Sequence, residues 1–237
     1  GVLGVGLAGA AVVKLRYNKN LVKFGKEIAK NKIPVDMYHP KKNYVAPYNI
    51  GDKKATNFFI GPLSNRGDTG GADVMKFTRI ALKDTKLKKE HELIPLFHNY
   101  QVSGTGEFGK LDAALEATKK GAIDGYNMDS VLMAKEIYKW HQLNPTKPIN
   151  LITHSAGGFQ GKDIPHILDA AGVDKKLINV FSMGSPDYGL VDDIVPAVRV
   201  MNNDDIYTNK MFTDKARIKI PSLNRNSTYV GNGYTPK

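Results

Sequence analysis

Short apolar runs alternate with amphipathic segments along most of the chain from residue 57 onward. The apolar runs predict strands at residues 57–60, 91–97, 148–153, 177–183, 197–201 and 217–220. The amphipathic segments predict helices at 111–119, 129–142 and 164–171, the last with Asp163 at its start and Pro165 in its first turn. Strands separated by helices are typical of βαβ units. The pattern therefore predicts an α/β fold with a mostly parallel sheet flanked by helices, over residues 57–237.

The N-terminal quarter has a different pattern. Residues 1–13 contain no polar side chain, and residues 14–56 form a basic segment that is interrupted by prolines after a helical start. Thirteen helical residues span about 20 Å, which is shorter than the ~30 Å hydrocarbon core of a bilayer. We interpret 1–13 as part of a membrane segment and 14–56 as a basic helix and linker. A buried strand or loop of the domain is the alternative for 1–13.

The net charge of +11 on these 237 residues is concentrated at the N-terminus. Residues 1–56 carry a net charge of +8, and residues 57–237 carry only +3. A uniformly basic domain is typical of nucleic-acid binding, so this distribution disfavours nucleic acid. It favours an anionic membrane surface contacted through residues 1–56, and a membrane-associated or secreted protein.

The composition also limits the chemistry. The chain has no cysteine, which excludes disulfides, a cysteine nucleophile and cysteine-ligated zinc or iron–sulfur sites. No metal-binding or nucleotide-binding string is present, so we predict neither a metal site nor a cofactor.

One stretch carries the signature of nucleophilic catalysis. Residues 149–161 read INLITHSAGGFQG, an apolar strand that leads directly into Thr-His-Ser-Ala-Gly. This is the spacing of a nucleophile elbow, a sharp strand-to-helix turn that exposes a serine hydroxyl at the carboxyl end of a sheet. Ser155 is the predicted nucleophile. A phosphate-binding or purely structural turn is the alternative interpretation.

Three motifs in order resemble the α/β-hydrolase superfamily, and within it the lipases of class 3. They are THSAG at 153–157, GSPDYG at 184–189 and RVMNNDDI at 199–206, and the resemblance covers about residues 57–208. Thr153 departs from the family pattern, which has glycine at the first position of the elbow. The resemblance implies an α/β-hydrolase-like sheet and cleavage of carboxylic esters, with lipids or phospholipids as the favoured substrates.

The resemblance also assigns roles to further residues. Asp205 matches the acid of the triad, since it follows the strand after the GSP motif, whereas Asp193 precedes that strand. The oxyanion would be held by the backbone amide of Ala156 and by one from the loop after the first strand. Pro62 in that loop has no N–H group, so Leu63 is the candidate.

A histidine after Asp205 is missing from the sequence. The superfamily places its histidine after the acid, but the six histidines here all precede residue 205. One explanation is a histidine beyond Lys237, in a domain that is incomplete at its C-terminus. A second is that His98, after the second central strand, completes the triad. A third is a catalytically degenerate module that binds or scaffolds within a larger membrane-associated assembly.

Overall fold

Six parallel strands form the centre of the fold. The computed structural model describes residues 2–32, 56–61, 93–96, 127–184, 191–202 and 227–232. The strands are β1 (Asn57–Ile60), β2 (Leu93–Leu96), β3 (Ile149–His154), β4 (Ile178–Met183), β5 (Ala197–Asn202) and β6 (Ser227–Asn232). The helices are α1 (Val2–Ala29), α2 (Met128–Leu143) and α3 (Gly157–Ala170), with a short 3₁₀ helix at Lys175–Leu177. Every strand pairing is parallel, which confirms the predicted α/β class.

Within the described residues, strand β6 and the start of α3 differ from the predicted elements. Strand β6 was not predicted, because its short apolar stretch is flanked by Ser227 and Asn232. The predicted strand at 217–220 and the predicted helix at 111–119 lie outside the described residues. Helix α3 begins seven residues before the predicted start, so Pro165 lies inside it and not in its first turn. The prediction was wrong because the glycines at the start of α3 have low helix propensity, which burial in the fold overrides.

The strand order gives the sheet a switch point. The order is β2-β1-β3-β4-β5-β6, so the chain moves one way from β1 to β2 and then crosses to the other side of β1. In open parallel sheets, ligands bind outside the carboxyl ends of the strands, at the place where the order reverses. Here that place lies between the ends of β1 and β3.

Helix α3 is buried on nearly all sides. Eleven of its residues between Gly157 and Leu168 are buried, and only His166 in that stretch is half-exposed. The sheet lies beneath it, where residues alternate between buried and partly buried along β3. Helices α1 and α2 cover it from outside. At Gly25 of α1 an added Cβ would overlap the carbonyl oxygen of Ile167, so α1 and α3 lie almost backbone to backbone.

Helix α1 runs without a break through the boundary that the sequence analysis placed between residues 13 and 14. One face of its second half is in the hydrophobic core, through Tyr17, Leu21, Phe24 and Ile28. The helix ends in a Schellman motif, in which Asn31 adopts a positive φ of 53° and the N–H of Lys32 donates to the carbonyl of Glu27 at 2.9 Å. The start of the basic segment is therefore a core helix of this fold.

A buried carboxyl group joins the three helices. The hydroxyl groups of Tyr17 in α1 and Ser130 in α2 each donate to Oδ2 of Asp163 in α3, both at 2.7 Å. All three residues are at most 1% exposed. Asp163 was predicted to cap a helix, but it lies in the middle of α3 because the helix begins earlier. The buried group is satisfied by hydroxyl donors from two other helices, as burial of a carboxyl requires.

Candidate functional site

Ser155 is the first residue of the two-residue turn between β3 and α3. Its φ is +53°, in the left-handed region that residues with a side chain rarely adopt. Its N–H donates to the carbonyl of Met183 on β4 at 3.1 Å, and its own carbonyl accepts from Gly158 at 3.0 Å. The turn is therefore held on the strand side and on the helix side. Strain of this kind persists only where the surrounding structure fixes it, and it is concentrated at functional sites.

The first turn of α3 abuts the end of β1. A Cβ added to Gly157 would overlap the carbonyl oxygen of Ile60 and would lie 3.0 Å from that of Gly61. Glycine at this position therefore allows the helix to start directly against the neighbouring strand. This contact places the turn at Ser155 at the switch point between β1 and β3.

Backbone amides at the start of α3 lie beside the serine. Ala156 is the N-cap of the helix, and the first hydrogen bonds of this turn are donated by Gly158 and Phe159 to Ser155 and Ala156. The N–H groups of Ala156 and Gly157 come before these donors, and N–H groups at this end of a helix have no acceptor within the helix. Together with the helix dipole they can stabilise a negative charge next to Ser155.

Thr153 is accommodated by a glycine on the helix above it. A Cβ added to Gly161 would lie 3.0 Å from Cγ2 and 3.4 Å from Oγ1 of Thr153. The departure from glycine at the first position of the elbow is therefore compensated one turn into α3. Sequence analysis noted the substitution and missed this compensation, which is a contact between residues eight positions apart.

Three buried polar side chains near the elbow lack hydrogen bonds within the described part of the chain. Thr153 and Ser182 are register partners on β3 and β4, on the sheet face that carries α3. Gln160 lies in the second turn of α3. All three are at most 1% exposed, and both hydroxyl groups and both amide atoms are without a partner. Sequence analysis missed this set, and the only signal was the inward position of Ser182 in an alternating strand.

Asp193 forms an ion pair with Arg199. Nε of Arg199 donates to its Oδ2 at 3.2 Å, and a second nitrogen of the same guanidinium donates to Oδ1. The two side chains are 3% and 2% exposed, so this is a buried bidentate ion pair between the segment before β5 and the strand itself. Asp193 precedes β5, whereas the candidate acid Asp205 lies outside the described residues.

The two histidines on the described helices, His141 and His166, are both partly buried. Nε2 of His166 lies 2.7 Å from the carbonyl oxygen of Asp192, to which it donates when that nitrogen carries the proton. Burial lowers the pKa of His166, although the bond to Asp192 and nearby carboxylates oppose this. Burial also lowers the pKa of His141, at the end of α2. His154 is the last residue of β3, half-buried beside the elbow.

Three of the five candidate site residues lie outside the described residues. These are Leu63, His98 and Asp205. The structure therefore places Ser155 and Ala156 together at one turn and does not describe the other members of the proposed triad and oxyanion hole.

Comparison with protein-family models, curated proteins and solved structures finds no match to this chain. Among the described residues, no group of three or more histidine or acidic side chains could hold a metal ion. Within the same segments, no helix has the length and apolarity needed to cross a bilayer.

Proposed function

We propose that this chain is a serine hydrolase of the α/β-hydrolase type that cleaves carboxylic esters. The observation that carries the proposal is the left-handed φ of Ser155 in a turn between a central parallel strand and a buried helix. A nucleophile elbow has this strand–turn–helix context. The position at the switch point supports the proposal, because ligands bind there in open α/β sheets.

In the proposed ester hydrolysis, each of these residues has a defined role. Oγ of Ser155 attacks the acyl carbonyl while a histidine accepts its proton, and Asp205 orients that histidine. The same histidine then protonates the departing alkoxide, and water hydrolyses the acyl-enzyme. His98 is the candidate within the chain. The N–H groups of Ala156 and Leu63 would hold the oxyanion, each contributing about 3–4 kcal/mol to stabilising the transition state.

Lipids or phospholipids are the proposed substrates. The order of the three sequence motifs supports this class, and helix α1 adds an apolar and basic element to the same structure. An enzyme that acts on such substrates would work at a membrane surface, which agrees with the membrane-associated location that the sequence predicts.

The test compares the chain with two serine variants. We expect hydrolysis of p-nitrophenyl butyrate and of a long-chain ester to fall at least about a thousandfold in Ser155→Ala, since loss of a nucleophile of this kind removes most of the rate enhancement. Ser182→Ala is the matched control, because Ser182 is buried on the adjacent strand. A fluorophosphonate probe should label the unchanged chain and Ser182→Ala and should not label Ser155→Ala. Equal hydrolysis by both variants would refute the assignment.

A non-catalytic binding module is the second candidate. The amides of Ala156 and Gly157 at a strained turn form an anion-binding arrangement that does not depend on a histidine. This function predicts that the chain neither hydrolyses esters nor reacts with the fluorophosphonate, yet binds a carboxylate or phosphate ligand that Gly157→Ala abolishes.

A further inference from the structure

We propose that the outward side of helix α1 docks on an anionic lipid surface. The orientation of the helix is fixed by its buried side, where Tyr17, Leu21, Phe24 and Ile28 pack in the core. At about 100° per residue, the side opposite these four residues is centred between Leu15 and Lys19. We call this side the outer face, and it comprises Val12, Leu15, Arg16, Lys19, Val22, Lys23, Lys26 and Lys30, all of which are exposed.

The outer face combines exposed aliphatic side chains with cations. Leu15 is 70% exposed, Val12 63% and Val22 39%. The remaining five members are all lysine or arginine, and none is acidic. Glu27 lies at the border of the face, half-buried, with its carboxylate 3.8 Å from the ammonium of Lys23. The face therefore has a large positive charge that the described residues scarcely compensate.

This composition matches the headgroup region of an anionic bilayer. Lysine and arginine are attracted to the negative surface potential, and aliphatic side chains between them can enter the boundary with the acyl chains. A protein groove that binds amphipathic helices would need the apolar side of α1, which the core already occupies. Nucleic acid would use the cations but would leave Leu15 and Val12 in water.

The helix continues from this face into an apolar segment. Residues 2–13 of α1 contain only glycine, alanine, valine and leucine, and the cations begin at Lys14. This change from apolar to basic residues along α1 matches the change from acyl chains to charged headgroups across the surface of a bilayer. The proposal narrows the membrane contact expected for residues 1–56 to one side of one helix, and it rests on α1 alone and not on the reaction at Ser155.

The experiment measures flotation of the full chain with vesicles of phosphatidylcholine, with and without phosphatidylserine. We expect binding only with phosphatidylserine, and binding that weakens as salt is added. The double variant Lys19→Glu/Lys23→Glu should bind at least about 30-fold more weakly, since two attractive charges are removed and two repulsive ones are added. Leu15→Ser should weaken binding severalfold by removing an inserted side chain.

Matched controls lie elsewhere in the chain. Lys175→Glu/Lys176→Glu makes the same change in net charge and also removes one weak surface ion pair, since Lys175 lies 4.0 Å from Asp169. Leu143 is 65% exposed, so Leu143→Ser matches Leu15→Ser. Both controls should bind like the unchanged chain. Equal effects of controls and outer-face variants, or binding that none of them alters, would overturn the proposal. Binding to a DNA or RNA duplex without binding to vesicles would assign the face to nucleic acid.

Discussion

Replacing Tyr17 with phenylalanine tests whether α1 is part of the folded domain. The phenylalanine ring can keep the packing of the tyrosine ring, so the change removes only the hydroxyl that donates to Asp163 at 2.7 Å. Tyr17 is 1% exposed and Asp163 is fully buried, so water cannot replace the lost donor in the intact fold. Ser130 still donates to the same oxygen, so the carboxyl keeps one of these two hydroxyl bonds.

The magnitude follows from the burial of the bond. A buried hydrogen bond to a carboxyl group contributes about 2 kcal/mol, within a range of roughly 1–3 kcal/mol. For a chain of 150–250 residues, each kcal/mol lowers the midpoint of thermal unfolding by about 2–4 °C. We therefore expect Tyr17→Phe to lower the midpoint by roughly 4–8 °C.

The assay is thermal and urea unfolding followed by circular dichroism on the full chain. Tyr138→Phe is the control, because Tyr138 lies half-buried in α2 and its hydroxyl has no hydrogen bond within the described segments. That variant should unfold within about 0.5 kcal/mol of the unchanged chain. If Tyr17→Phe is as stable as Tyr138→Phe, α1 is not docked on α3 in solution, and the interpretation of residues 14–56 as a basic helix and linker outside the domain would stand.

Two further predictions concern the elbow itself. Gly157→Ala places a methyl group against the backbone of β1, so it should destabilise the fold by about 1–3 kcal/mol in urea unfolding and abolish ester hydrolysis. Unchanged stability would contradict the close contact between α3 and β1. Thr153→Val keeps the contact with Gly161 and removes a buried hydroxyl that has no hydrogen-bond partner among the described residues, so the free energy of unfolding should stay equal or rise by up to about 1 kcal/mol. Ser130→Ala removes a hydroxyl that is hydrogen-bonded to Asp163, so it should lower the free energy of unfolding. An equally large loss in Thr153→Val would show that the hydroxyl of Thr153 does have a hydrogen-bond partner.

Strands β1 to β5 were predictable because their pattern is local, whereas β6 was not. Strand β3 alternates between buried and half-buried residues, and β1 is a short apolar run that is buried throughout. Parallel pairing followed from the helical segments between such runs. The turn at Ser155 was also visible, because an apolar strand, a serine and two glycines are adjacent in sequence.

The sequence of helix α1 alone does not show what its apolar face packs against. The spacing of Leu21, Phe24 and Ile28 indicates a helix with one apolar face, but the pattern does not say whether that face meets a membrane, a partner or the domain. The answer depends on Asp163, which is 146 residues away from Tyr17. Asp163 itself was assigned to a helix start because a carboxylate near Pro165 is typical of a first turn.

Helix α3 links the two proposals physically. Its first residue touches the end of β1 beside Ser155, and Asp163, six residues later, anchors α1. Six helical residues span about 9 Å, so the start of α3 beside Ser155 and the attachment of α1 lie close together along one buried helix. A surface contact made by the outer face would therefore hold Ser155 at a defined height and orientation above the bilayer, because α1 packs directly against α3. Under the two proposals together, the hydrogen bond between Tyr17 and Asp163 would be one of the contacts through which docking of α1 orients the turn at Ser155.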